Sequence, residues 1–132
     1  MDQSEECMSS LHIEEGKNTP KVNWDIDSEI MDMSGKSFPE NTKKFYNQLT
    51  DWLDSQKLTG KKTFEFHFYY LSSSSIIAVY QILKRLETAS DNGASIIVNW
   101  KYDDGDDDIQ RIGLDYEKIT SLTIIHKAVD RV

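Results

Sequence analysis

"KTFEFHFYYLSSSSIIAVYQILKRL", residues 62–86, changes its period halfway. Up to Leu71 the residues alternate, sending Phe64, Phe66, Phe68 and Tyr70 to one side and Glu65, His67 and Tyr69 to the other. That is the pattern of a strand with one dry face. Beyond the four serines the spacing is helical: from Ile76 onward, Val79, Tyr80, Ile82, Leu83 and Leu86 share one broad arc. A helix is predicted near 74–89, with Ile77 outside its core-facing arc and one turn from Ser73. The decisive reading is therefore strand, hydroxyl junction, helix.

Outward from that unit the same alternation of periods recurs. "LHIEE" (11–15) reads as a short strand, followed by "KVNWDI" (21–26) and "SEIMDMS" (28–34) as a hairpin whose second strand Gly35 closes. A helix is predicted near 38–57, where Phe45, Leu49, Trp52 and Leu53 recur at helical spacing with Phe38 at the start. Ser37 and Glu40 have the spacing of a capping box, with Pro39 tolerated in the first turn. "ASIIVNWKY" (94–102) is a β-branched strand, "DIQRIGLDYEKI" a helix, and "SLTIIHKAV" (121–129) a last strand. The order β-ββ-α-β-α-β-α-β predicts a single α/β domain, a two-layer sandwich of about three helices on a mixed sheet. Residues 1–8 read as a flexible N-terminal tail and 9–132 as the domain.

Composition narrows the function. The 132-residue chain carries 23 acidic against 15 basic residues, a net charge of −8, which disfavours nucleic acid and anionic membrane surfaces as partners. Its one cysteine, Cys7, builds neither a disulfide framework nor a zinc site. With no apolar run of about 20 residues and no signal-peptide core, a cytoplasmic protein is expected.

Several motifs weaken on inspection. "GKS" (35–37) resembles the end of a phosphate-binding loop, but Ile30 stands where that loop needs glycine. In "DDGDDD" (103–108) the glycine is third and position twelve is Leu114, so the calcium-loop pattern is absent; acids at a helix start suffice to explain it. No cofactor or metal site is expected. A hydrolytic triad through Ser73 and His67 is disfavoured, since His67 lies six residues back along a strand, roughly 20 Å away; His12 and His126 stay open as bases, without a GxSxG elbow to support them.

The serines remain. One of them is expected to cap the helix. An exposed neighbour sits at the positive end of the helix, where a phosphate adding about −1.5 to −2 charges is tolerated. An apolar Ile77 beside a modifiable hydroxyl has the character of a partner-binding surface. Two alternatives stand beside that reading: a constitutive binding module whose serines only cap, and a small serine- or metal-dependent hydrolase.

Four stretches, "NTPKVNWD" (18–25), "GKSFPENTKKFYNQLTDWL" (35–53), "YYLSSSSIIAVYQILKRLE" (69–87) and "VNWKYDDGDDD" (98–108), resemble the SiaC family of bacterial regulatory phosphoproteins in content and order. The resemblance implies a STAS-like, non-enzymatic partner-switching protein. It further implies phosphorylation by a serine/threonine kinase with a histidine-kinase-type ATPase fold, and reversal by a PP2C-type phosphatase. The unphosphorylated form would bind and activate a diguanylate cyclase, raising cyclic di-GMP and favouring biofilm. The family's Asn-Thr-Ser-Ser pattern falls on Ser72-Ser73-Ser74-Ser75, which puts the acceptor at Ser73, with Ser72 and Ser74 as alternatives. Ser72, Ser74, Ser75 and Ile77 are then expected to contact partners, and Ile77 stands where the family often carries a basic residue.

Overall fold

The structure, a computed structural model, describes residues 10–130, so the tail expected at 1–8, with Cys7, lies outside the described residues. The elements are β1 (Ser10–Ile13), β2 (Lys21–Asp25), β3 (Ile30–Ser37), α1 (Thr42–Ser55), β4 (Lys61–Leu71), α2 (Ser73–Asp91), β5 (Ser95–Asp103), α3 (Asp107–Ile119) and β6 (Thr123–Val129). They form one six-stranded sheet in the order β1-β2-β3-β4-β5-β6. The first three strands run as an antiparallel meander, and β3 to β6 are parallel. Each crossover steps one strand in the same direction, and the right-handed rule then puts every helix on the same face. The result is the two-layer α/β sandwich that the order of elements predicts.

The period-two pattern fixes which face is covered. Trp24, Met31, Met33, Phe64, Phe66, Phe68, Val98 and Trp100 are essentially inaccessible beneath the helices. Their neighbours Asp32, Glu65, His67 and Lys101 lie half-buried on the other face. There Lys101 Nζ and Asn99 Nδ2 reach Glu65 at 3.0 and 3.1 Å. The helix face of α1 buries Phe45, Leu49, Trp52 and Leu53, as its spacing predicts, and Trp52 meets Trp24 at 5.7 Å between rings. Trp100 seats α3: its Nε1 donates to the Ile109 carbonyl at 2.8 Å, and a Cβ on Gly113 would stand 2.3 Å from its ring. Among the described residues no helix is long and apolar enough to cross a membrane.

Three expectations are corrected. Ser37 and Glu40 form no capping box: Asn41 caps α1, its side chain accepting from Lys44 N at 3.0 Å, and the helix starts at Thr42 rather than 38. Ser37 ends β3 instead, because Gly35 does not close that strand. At φ +124° it bends the chain between Glu15 and Pro20, where a Cβ would meet atoms at 2.9 and 3.3 Å, and pairing resumes beyond it. The third concerns β4. Gly35 pairs with Phe68 and Lys36 with Tyr70, so Tyr69 is an extra residue, a bulge that breaks the alternation. Tyr70 therefore turns out to solvent, 52% exposed and edge-on to the exposed Phe38, while Leu71 takes the core position.

Candidate functional site

The bulge sets the phase in which the chain reaches the serines. With Leu71 in the core, Ser72 adopts extended backbone (φ −70°, ψ 163°) and its amide donates to the Ser37 carbonyl at 2.9 Å, continuing the β3 pairing by one bond. The helix begins at the next residue, so the four serines occupy the N-cap and the whole first turn of α2. Position along that turn dictates their separate roles.

Ser72 is the cap: its Oγ accepts from Ser75 N at 3.2 Å, satisfying one of the orphan amides of the helix start. Ser75 is wholly buried, and its Oγ receives a 2.9 Å bond from Ser72 Oγ and meets Ser37 Oγ at 2.9 Å. Ser37, equally buried, lies 2.6 Å from the Tyr46 hydroxyl. A chain of four hydroxyls thus joins the cap of α2 to the end of β3 and to the core face of α1. In low dielectric such bonds reinforce one another. Burial holds the Tyr46 phenol at about 12, above its usual 10, although the bonds from Ser37 and Ser75 pull the other way.

Ser74 faces α1 and its Oγ meets Thr42 Oγ1 at 2.8 Å, so the starts of the two helices touch. From the other side, the Tyr116 hydroxyl of α3 donates to the Ile76 carbonyl at 2.6 Å. Ser73 differs from all of these. It is exposed, and among the described residues its hydroxyl makes no hydrogen bond. Ile77, one turn on, is 66% exposed, as its place outside the arc predicts.

The described bases and acids that the rival readings would use are engaged elsewhere or lie apart from the serines. His67 pairs with Asp103 at 2.9 Å on the sheet face away from the helices, and His126 with Glu117 at 2.9 Å. Among the described residues no histidine hydrogen-bonds any of the four serines. In the acidic turn Asp106 caps α3, accepting from Ile109 N at 3.1 Å, and Asp108 pairs with Arg111 at 3.1 Å. The acids there serve the helix start, and no group of described residues has the arrangement of a metal site.

Sequence reasoning placed the serine run and Ile77 but missed Ser37, Thr42 and Tyr46. Their part depends on β3 and α1 lying beside α2, a tertiary contact with no local signature. The parallel neighbours in the predicted order were the one available hint.

Comparison with known proteins bears on the family. The family described as SiaC family regulatory phosphoprotein matches residues 13–128. An uncharacterized protein of Pseudomonas aeruginosa (strain UCBPP-PA14) is 30% identical over 125 residues, covering 93% of this chain and 99% of its own. Among solved structures, apo-SiaC from Pseudomonas aeruginosa superposes with a TM-score of 0.81 at 27% identity, over 92% of this chain and 100% of that one. A chain in the crystal structure of the diguanylate cyclase SiaD in complex with its activator SiaC, also from Pseudomonas aeruginosa, gives 0.78 at 27% identity, over 90% and 99%.

Proposed function

This chain belongs to the SiaC family of regulatory phosphoproteins, and we propose that it is a partner switch, phosphorylated on Ser73, whose unphosphorylated form binds and activates a diguanylate cyclase. One observation carries the choice of residue: of four consecutive hydroxyls, Ser73 alone is exposed and uncommitted among the described residues. Phosphorylating Ser75 would put a dianion in the core. At Ser72 it would take the cap, and at Ser74 it would break the bond to Thr42. At Ser73 none of these is disturbed.

The chemistry is the kinase's. The Ser73 hydroxyl attacks the γ-phosphorus of ATP, the bond to ADP breaks, and the serine proton leaves to a base on the kinase. A kinase with a histidine-kinase-type ATPase fold would supply that base, and a PP2C-type phosphatase would reverse the reaction with water. The product adds about −1.5 to −2 charges to a surface that is otherwise hydroxyl and isoleucine. A partner surface fitted to the bare form would then face a charge it cannot pair, and desolvating that charge opposes binding. Loss of the complex would lower cyclic di-GMP, and with it biofilm formation. The reading places the protein in the cytoplasm, where ATP supplies the kinase, and the protein itself performs no catalysis.

The test is phosphopeptide mass spectrometry after incubation with ATP and the candidate kinase, followed by calorimetry against a diguanylate cyclase of the same genome. Phosphate is expected on the 72–75 segment and absent from Ser73→Ala. Ser73→Ala should bind the cyclase like the native protein, and Ser73→Glu at least about tenfold more weakly, or roughly 1.4 kcal/mol. Phosphate persisting in Ser73→Ala would move the acceptor. Equal binding by Ser73→Ala and Ser73→Glu would remove the switch from this residue.

A further inference from the structure

The sheet ends in two edges of unlike character, β1 and β6. β1 is four residues long and leads directly into Glu14 and Glu15, so it offers an approaching strand little backbone and much charge. β6 is seven residues long, pairs with β5 throughout without a bulge, and contains neither proline nor acid. In a chain of net charge −8, no acid lies between Glu117 and Asp130. Shortness, bulges, prolines and charges ordinarily keep a sheet edge from pairing with another chain. Of these β6 has one lysine, Lys127.

The direction of the backbone identifies the open groups. Asp104 N donates to the Val129 carbonyl at 2.8 Å, so Val129 turns its peptide groups toward β5, and with a period of two Thr123, Ile125 and Lys127 do the same. Ile124, His126 and Ala128 turn theirs outward, and among the described residues no strand lies beyond them. The side chains bring apolar surface to both sides of this edge. Ile125 is 42% exposed on the sheet face away from the helices, whereas Ile124 is buried beneath them. On the helix side Glu117 reaches His126 at 2.9 Å, and Leu114, one turn back on α3, is 40% exposed.

We propose that β6 docks a second copy of this chain, the two β6 strands pairing antiparallel about a two-fold axis at Ile125 and joining the two sheets into one. A segment that meets itself across a two-fold must run antiparallel. With the axis at Ile125, the outward peptide groups of Ile124 and His126 in one copy meet those of His126 and Ile124 in the other. Ile125 faces its twin in a non-hydrogen-bonded pair, where side chains stand closest. Lys127 faces Thr123, so its charge meets no like charge. The same axis runs the two α3 helices antiparallel on one face of the joint sheet. The acidic first turn of each, Asp107 and Asp108, then lies toward the Lys118 end of the other, and the helix dipoles oppose. Edge, apolar pair and charge are thus all self-complementary, which selects a second copy over an unlike strand. A contact of one strand pair is smaller than a standard interface, so association in the micromolar range is expected. The serine turn follows β4, two strands in from this edge, and stays open in the dimer. The inference therefore stands apart from the partner-switch reading.

The test is sedimentation velocity of the full-length protein, with Cys7→Ser to exclude thiol chemistry, from micromolar to millimolar concentration. A monomer–dimer equilibrium is expected. Ile125→Lys, which sets two cations face to face, should weaken it at least about tenfold. Ile30→Lys is the control of no effect, since Ile30 is 54% exposed but lies on β3, inside the sheet. Cysteine cross-linking then reads the register, and it decides the matter if Ile125→Lys fails to fold. In the same Cys7→Ser background, Ile125→Cys should oxidise to a covalent dimer, because paired Cα atoms stand about 4.5 Å apart. Thr123→Cys alone should not, its twin lying roughly 13 Å along the strands. Thr123→Cys combined with Lys127→Cys should cross-link again. A monomer at every concentration would overturn the proposal. So would a dimer weakened by Ile30→Lys and not by Ile125→Lys, which would place the contact on the open sheet face. Cross-linking of Thr123→Cys as fast as Ile125→Cys would reject the register and the axis with it.

Discussion

Two helices start at the same edge of the sheet, α2 after β4 and α3 after β5, and their first turns are opposite in chemistry. At α3, Asp106 caps and Asp107 and Asp108 follow, so the positive helix end carries permanent negative charge. At α2 the cap is Ser72, the next three residues are serines, and no acid lies in the first turn. Both caps accept one amide bond with similar geometry, 3.1 Å to Asp106 and 3.2 Å to Ser72. The difference is charge, not closure. A chain with 23 acids puts none in this first turn, at the place where family resemblance puts a reversible phosphate. What α3 holds by composition, the proposed phosphorylation would add to α2.

The sharpest way to break that comparison is to give α2 a permanent acid at the wrong depth. Ser75→Asp buries a carboxylate among Ser37, Ser72 and Tyr46, with no cation to pair it. A loss of more than about 3 kcal/mol is expected, read as a fall in the urea midpoint. If Ser75→Asp were as stable as native protein, the buried hydroxyl chain would not be what separates the inner from the outer face of the turn.

Alkaline pH tests the same hydroxyl chain without moving an atom. Below about pH 10 the Tyr46 phenol is neutral in the folded and unfolded chain alike, and its contribution is fully present. Between 10 and the folded value of about 12 the unfolded chain ionises and the folded one does not, so stability falls as pH rises. Two units correspond to about 2–3 kcal/mol. Tyr46→Phe should flatten part of that fall. Tyr116, also raised by burial, accounts for a remainder. Asp106→Asn, which alters neither phenol, should leave the alkaline profile unchanged. A profile identical in Tyr46→Phe and native protein would show that the phenol is not held as the structure describes.

How much of this was legible in the sequence follows from how local each cause is. Strand and helix periods are local, so all nine elements and their order were readable, down to Ile77 standing off the core. The bulge at Tyr69 was not, because it exists only relative to Gly35 on the neighbouring strand. Its effect is to turn Tyr70 out and Leu71 in, against the alternation of the four preceding pairs. Ser37 misled for a related reason. Ser-Phe-Pro-Glu satisfies the spacing of a capping box, yet Asn41 offers an equally good cap closer to the amphipathic run, and a parallel strand needed Ser37. The four serines were recognised as a unit, but their division of labour came from β3 and α1, which no local pattern names.

The smallest expected effect sharpens the comparison most directly, since it exchanges the two caps. Ser72→Ala and Asp106→Ala each remove one amide acceptor, and each should lower stability by about 1 kcal/mol. Ser72→Ala also removes the donor to Ser75 Oγ, but Ser75 keeps Ser37 as a partner and is not orphaned. The two losses then divide on salt. Part of what Asp106 contributes is attraction between its charge and the helix end, which ionic strength screens, so its loss should shrink between about 0.05 and 1 M salt. A neutral hydroxyl has no such component, and the Ser72→Ala loss should hold constant. Were both losses to respond alike, charge would not be what distinguishes the junctions, and the neutrality of α2 would be an accident of capping rather than a place kept for phosphate.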